Sequence, residues 1–166
     1  MRKRLTIFFF LFALFWLEIG FKKVFPGSFL IPQFVLLFVV IFAVGSDFKE
    51  TLIMSMIGGF LGELYSGLYF GTVISSMCVA ALIAYFMSRN VTAQALSLSS
   101  GVLLFALLSA FLPLWAFLYN LAASGLGLVS FPEFRSYYSW ILLPQVLVNL
   151  AVFFPVNRIF KAIFDE

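Results

Sequence analysis

Long apolar runs, broken only by short clusters of charge, constrain this chain more than any other feature. Its 166 residues include ten Lys and Arg, seven Asp and Glu and no His, while 64% are hydrophobic. A soluble domain averages about 25% charged and about 45–50% apolar residues. The apolar runs have the length of roughly 20 residues that spans a bilayer core of about 30 Å. The sequence therefore predicts an integral membrane protein.

Six membrane-spanning helices account for these runs. The breaks between them contain the Gly, Pro, Ser and charged residues that are typical of loops. The runs lack the period-two alternation of a transmembrane β-barrel. We therefore predict an all-α membrane protein with six transmembrane helices in one bundle, forming a single domain over residues 1–166. The predicted helices cover about 5–21, 28–45, 51–69, 71–88, 95–121 and 138–160.

The first apolar run begins like a secretory signal peptide. However, Trp16 and Glu18 stand near its end, where a signal peptide has a small-residue cleavage site. We therefore expect a retained first helix. Glu18 and Lys22 are four residues apart in the last turn of that helix, a spacing that predicts an ion pair.

The distribution of Lys and Arg predicts the orientation in the membrane. With the N-terminus inside, seven basic residues fall on the cytoplasmic side and three outside, in the sense of the positive-inside rule. The expectation is a multi-pass protein with both termini in the cytoplasm and loop 122–137 outside. The cytoplasmic set is Arg2, Lys3, Arg4, Lys49, Arg89, Arg158 and Lys161, and the outer set is Lys22, Lys23 and Arg135.

The residue inventory argues against common catalytic and metal-binding chemistries. Without His and with Cys78 as the only cysteine, the chain lacks a Ser-His triad and the usual zinc and haem ligand sets. It also lacks the basic stripe interleaved with aromatic residues that binds single-stranded nucleic acid. We predict a protein without catalytic residues, cofactor, metal or nucleic-acid partner.

The predicted third helix contains a surface of small residues. Ser55, Gly59, Gly62 and Ser66 recur at offsets of four, three and four and form what we call the small-residue ridge, with Gly58 beside it. Helices in lipid associate through close packing, which small residues permit. We predict that this surface packs against another helix or a partner protein. The full candidate set is Ser55, Gly58, Gly59, Gly62, Glu63, Ser66, Gly67 and Gly71.

Glu63 is a carboxylate within this apolar helix, where burial in a membrane costs about 2.5–3.5 kcal/mol. Three explanations remain open: a structural group that fixes the helix, a contact with a partner, or a site for a transported proton or cation. We expect Glu63 to face the bundle interior in a structural role. Side chains that could hydrogen-bond to it are Tyr65, Ser66, Gln145 and Asn149.

Two segments resemble a known family. Residues 25–37 read F-P-G-S-F-L-I-P-Q-F-V-L-L, and residues 58–67 read G-G-F-L-G-E-L-Y-S-G, followed by Gly71. This order resembles the bacterial rod shape-determining protein MreD family. That family pairs a proline-entered apolar second helix with a helix reading roughly G-F-x-x-G-L-x-x-D-x-x-S-G. Glu63 stands at or near the position of the family's acidic residue, and the resemblance covers about residues 25–90.

The resemblance implies a non-enzymatic subunit of the lateral peptidoglycan synthesis machinery in the bacterial inner membrane. Such a subunit associates with an MreC-like single-span protein and, through it, with the MreB filament and the peptidoglycan synthases. The family is also similar in fold to the substrate-binding subunits of energy-coupling factor transporters. A vitamin-capturing subunit is therefore the alternative, although the first helix has one Ala, Ala13, where those subunits commonly show A-x-x-x-A. A third possibility is a permease for a lipid or a small molecule, which six spans could support only as an oligomer.

Overall fold

The chain is helical in the parts that the computed structural model describes, and no strand occurs among them. Those parts are residues 2–25, 32–66, 70–90, 104–111, 114–115, 118–119, 122 and 144–159. The long helices are α1 (Arg2–Val24), α2 (Phe34–Gly45), α3 (Phe48–Ser66) and α4 (Thr72–Asn90). Residues 104–111 and 144–159 are also helical. The prediction of an all-α fold is confirmed for these residues.

The second helix begins later than predicted. It was expected from about residue 28, whereas α2 begins at Phe34. Gln33, with φ −88° and ψ 73°, is not helical. The residue before a proline is disfavoured in the helical region, so Pro32 favours a start after it rather than before it. Residues 26–31 lie outside the described residues.

The third helix begins earlier than predicted. It was expected over 51–69, and α3 covers Phe48–Ser66. Residues 67–69 lie outside the described residues, and a turn at Phe70 and Gly71 leads into α4. The connection between the two helices is therefore short, as the sequence indicated.

α2 forms the centre of the described helices. It contacts α1, α3 and α4, which leaves little of its surface for solvent or lipid. This central position explains why α2 is apolar on every face instead of amphipathic. Its buried residues are Phe34, Val35, Leu36, Leu37, Phe38, Val39, Val40, Phe42 and Ala43.

α3 and α4 form an antiparallel hairpin with close contacts along its length. Gly62 lies against Val73, Gly59 against Ile74, Ser55 against Cys78, and Phe48 against Tyr85. Near the open end, Arg89 Nη2 donates to the Ser46 main-chain oxygen at 3.4 Å and the guanidinium lies 5.5 Å from the Tyr85 ring centroid. Arg89 thus ties the end of α4 to the end of α2, just before α3 begins.

Two of the described helical stretches are long and apolar enough to cross a membrane, Leu5–Val24 and Thr72–Arg89. Phe34–Gly45 is a shorter apolar helix. Bulky apolar side chains also remain exposed on the outer faces of α1 and α3, for example Phe9 at 64% and Leu64 at 60%. Exposed apolar surface of this kind is suited to lipid or to a protein partner rather than to water.

Candidate functional site

The small-residue ridge of α3 is used inside the molecule. A Cβ atom on Gly59 would lie 2.6 Å from Ile74 Cα, and one on Gly62 would lie 2.9 Å from Val73 Cγ1. Only glycine lets the α3 backbone come this close to α4, as expected for helix packing through small residues.

Gly58 faces a different neighbour. A Cβ atom there would lie 3.0 Å from Val35 Cγ1 and 3.4 Å from Val39 Cγ2, both on α2. The glycines of α3 therefore serve two interfaces, one with α4 and one with the central helix. Gly58 and Gly59 are adjacent in sequence, but Gly58 lies against α2 and Gly59 lies against α4.

The two serines of the ridge bond to main-chain oxygens of α3. Ser55 Oγ donates to the Leu52 oxygen at 2.8 Å and lies 3.6 Å from Cys78 Sγ. Ser66 Oγ donates to the Glu63 main-chain oxygen at 3.1 Å. These bonds satisfy hydroxyl groups within the helix. Gly67, the remaining small residue of the predicted set in this region, lies outside the described residues.

Glu63 caps the N-terminus of α4. Its Oε2 atom accepts hydrogen bonds from the main-chain nitrogens of Val73 at 2.8 Å and Ile74 at 3.1 Å. These are the second and third residues of α4, whose N–H groups have no acceptor within the helix. A side-chain oxygen normally meets this need from the N-cap residue itself. Here the carboxylate comes from the preceding helix.

This cap offsets the burial of Glu63, whose side chain is 92% removed from solvent, at 8% exposure. Hydrogen bonds to a charged group contribute about 1.5–3 kcal/mol each, and a negative charge at a helix N-terminus adds about 0.3–1 kcal/mol. These contributions are at least as large as the cost of about 2.5–3.5 kcal/mol that a carboxylate would incur on burial in a membrane. The position of Glu63 therefore needs no transported ion to explain it.

The hydrogen-bond partners expected from the sequence differ from those of the structure. Ser66 bonds to the main chain of Glu63, as described above, and the Tyr65 ring packs edge-to-face on Phe15 at 5.6 Å. The sequence pointed only to side-chain partners for Glu63, whereas its carboxylate accepts hydrogen bonds from backbone amides of α4. An acidic residue in the last turn of α3, followed by a short connection to α4, was the available signal for this contact.

Gly71 makes the turn into α4 possible. Its φ of +95° lies in the left-handed region that glycine adopts readily. Tyr119 covers this turn, because its hydroxyl donates to the Phe70 main-chain oxygen at 3.3 Å. Trp115 Nε1 donates to Ser75 Oγ at 3.0 Å in the first turn of α4. Residues well downstream therefore hold the same end of the hairpin.

A second carboxylate caps α2 in the same manner. Glu18 Oε2 accepts a hydrogen bond from the Val35 main-chain nitrogen at 3.2 Å. Its other oxygen pairs with Lys22 at 3.1 Å, which confirms the predicted ion pair. The cap itself was not predicted, because it joins two helices across a connection that spacing rules do not describe.

Gln145 and Asn149 form a buried amide cluster with Gln33 at the entrance of α2. Asn149 Oδ1 accepts from the Gln33 main-chain nitrogen at 2.9 Å, and Asn149 Nδ2 donates to Gln33 Oε1 at 3.0 Å. Gln145 Nε2 lies 3.4 Å from Asn149 Oδ1. The sequence analysis named these two side chains as possible partners of Glu63, but the structure places them beside Gln33 at the start of α2.

Comparisons with protein-family models, with curated proteins and with solved structures return no match to this chain. Within the described ranges, no three His, Cys, Asp or Glu side chains are placed to hold a metal ion together.

We predict that Gly59→Ala destabilises the protein, because the new methyl group meets the backbone of Ile74. Gly20→Ala is the matched control, since a Cβ there meets no atom within 4 Å in the described part of the chain. Gly20→Ala should be neutral or stabilising, by up to about 1 kcal/mol from helix propensity. Thermal unfolding in detergent measures both. Equal effects of the two substitutions would contradict close packing at Gly59.

For Glu63 we predict that Gln is tolerated better than Leu. An amide oxygen can still accept the bonds from Val73 and Ile74, whereas Leu leaves two buried N–H groups unpaired. The Leu variant should lose roughly 1–3 kcal/mol of unfolding free energy for the unpaired groups. Unfolding curves of both variants in the same detergent provide the comparison. If the Leu variant is more stable than the wild type but no longer supports the protein's function in cells, Glu63 has a functional role instead of a structural one.

Proposed function

We propose that this chain is a subunit of the bacterial machinery for cell shape and lateral peptidoglycan synthesis, resembling MreD. In this proposal six helices form one bundle in the inner membrane, with both termini in the cytoplasm. The protein acts without catalysis or cofactor by binding an MreC-like single-span protein. Through that partner it associates with the cytoskeletal filament and the peptidoglycan synthases.

The convergence of the family-like residues on one contact is the observation that supports this proposal. Gly59, Gly62 and Glu63 meet the first turn of α4, and Gly71 forms the turn before it. These residues are separated in the sequence motif but act together in space. A segment whose particular residues build a rigid hairpin is suited to a scaffold that presents a surface to another protein.

The outer face of α1 offers such a surface. Phe8, Phe9, Phe12 and Trp16 are all at least 39% exposed, and Phe12 stacks against Phe8 with ring centroids 6.5 Å apart. Because helices in lipid associate by packing and not by the hydrophobic effect, an aromatic face can bind a transmembrane helix of a partner. This face supports a binding function better than a catalytic one.

The alternative proposal is a substrate-binding subunit of an energy-coupling factor vitamin transporter. The buried amides of Gln145 and Asn149, next to the half-buried amide of Gln33, are the observation in its favour, because buried polar groups can orient a small molecule. However, these amides bond to one another. Their mutual satisfaction favours a structural role, so we rank this proposal second.

The proposed topology predicts the reactivity of single cysteines. In a Cys78→Ser background, Lys23→Cys should react with a membrane-impermeant reagent added outside intact cells, and Lys49→Cys should not. The two sites differ because Lys23 ends α1 and Lys49 begins α3. Permeabilised cells provide the control that both cysteines are accessible. Labelling of Lys49→Cys from outside would overturn the proposed orientation.

Depletion of the protein tests the proposed function. Rod-shaped host cells should become round, because lateral wall synthesis would lose a membrane subunit. Re-expression of the wild-type chain should restore rods, whereas Gly59→Leu should not, since it disrupts the hairpin. Microscopy of cells with matched protein levels provides the measurement. Unchanged cell shape together with a new vitamin requirement would reject this proposal in favour of the transporter.

A further inference from the structure

Two buried polar atoms at the α4 cap lack a hydrogen-bond partner among the described residues. They are Glu63 Oε1 and Thr72 Oγ1, and the Thr72 side chain is 0% exposed. Thr72 immediately precedes Val73, whose N–H group donates to the other oxygen of Glu63. The two unpartnered atoms therefore belong to the two residues that meet at this cap, Thr72 as the first residue of α4 and Glu63 as the acceptor for the second and third.

Leaving these atoms unpaired is unfavourable. A buried polar atom without a partner costs about 1–3 kcal/mol, and more for a charged group. A carboxylate oxygen requires a hydrogen-bond donor, while a threonine hydroxyl can either donate or accept. A ligand that satisfies both must be small and able to donate at least one hydrogen.

We propose that one buried water molecule binds between Glu63 Oε1 and Thr72 Oγ1 and completes the cap of α4. Water has two donors and two acceptors, and buried waters typically satisfy such leftover groups with about three hydrogen bonds. A cation fits this position less well. The N-terminus of α4 carries a partial positive charge and directs its N–H groups toward Glu63, so it repels cations.

This inference does not depend on the proposed cellular function. It concerns how the hairpin tolerates a carboxylate inside the helices, whichever partner the protein binds. The water adds to the two amide bonds on Oε2 and gives the carboxylate partners on both oxygens. It also links the carboxylate of α3 to the side chain that begins α4.

A high-resolution experimental structure of the wild-type protein tests the proposal directly. We expect one ordered solvent peak about 2.7–2.8 Å from each of the two oxygens. A direct contact between the oxygens, an ion bound with both as ligands, or a site without solvent would each overturn the proposal.

A comparison of matched threonine variants gives an independent test. Thr51 Oγ1 is also buried and unpartnered, but it lies at the other end of α3. Thr72→Val should lower the unfolding midpoint by about 2–4 °C more than Thr51→Val, because it breaks the water bridge. Thr72→Ser, which keeps the hydroxyl, should recover most of this loss. Equal shifts for the two valine variants would contradict the bridge.

A double-mutant cycle shows whether Thr72 acts through Glu63. Combining Thr72→Val with Glu63→Leu should shift the midpoint by less than the sum of the two single shifts, because each change alone already breaks the bridge. Combining Thr51→Val with Glu63→Leu should be additive. Additivity in both cycles would overturn the proposal, and repetition in sodium and potassium buffers should leave the coupling unchanged.

Discussion

The contact between the Glu63 carboxylate and the first turn of α4 organises the hairpin of α3 and α4. A buried carboxylate and buried helix N–H groups would each be unfavourable alone. Together they satisfy one another at 2.8 and 3.1 Å. The close approach that this contact requires is possible because Gly59 and Gly62 leave no side chain between the two helices.

The same solution occurs at the neighbouring helix. Glu18 near the end of α1 caps α2, as Glu63 near the end of α3 caps α4. Because consecutive helices run in opposite directions, both carboxylates lie at the ends where α2 and α4 begin. In each case an acidic residue of one helix accepts from main-chain N–H groups in the first turn of the next helix, which fixes the register of the pair.

The hydrogen bonds that Glu18, Glu63 and Asn149 make between helices lie at the end where α2 and α4 begin, whereas Arg89 bonds to Ser46 at the opposite end. The amides of Gln33 and Asn149 join the entrance of α2 to the helical stretch 144–159. Trp115, downstream of α4 in the chain, bonds to Ser75 in the first turn of α4. Hydrogen bonds at the end where α2 and α4 begin align the helices, because their strength depends on direction. Apolar packing around α2 holds the helices together. The outer faces of α1 and α3 take part in neither set of contacts, so they are available to lipid or to a partner.

The sequence alone determined the helical class, because long apolar runs with few charges exclude most other folds. It also indicated the packing role of the small-residue ridge and the turn at Gly71, since glycine has consequences that depend little on distant residues. Only the tertiary structure decided which neighbour each glycine meets, with Gly58 against α2 and Gly59 against α4. The tertiary structure also decided that Glu63 binds backbone amides, because every residue carries such a group and no sequence pattern marks the ones left without an acceptor.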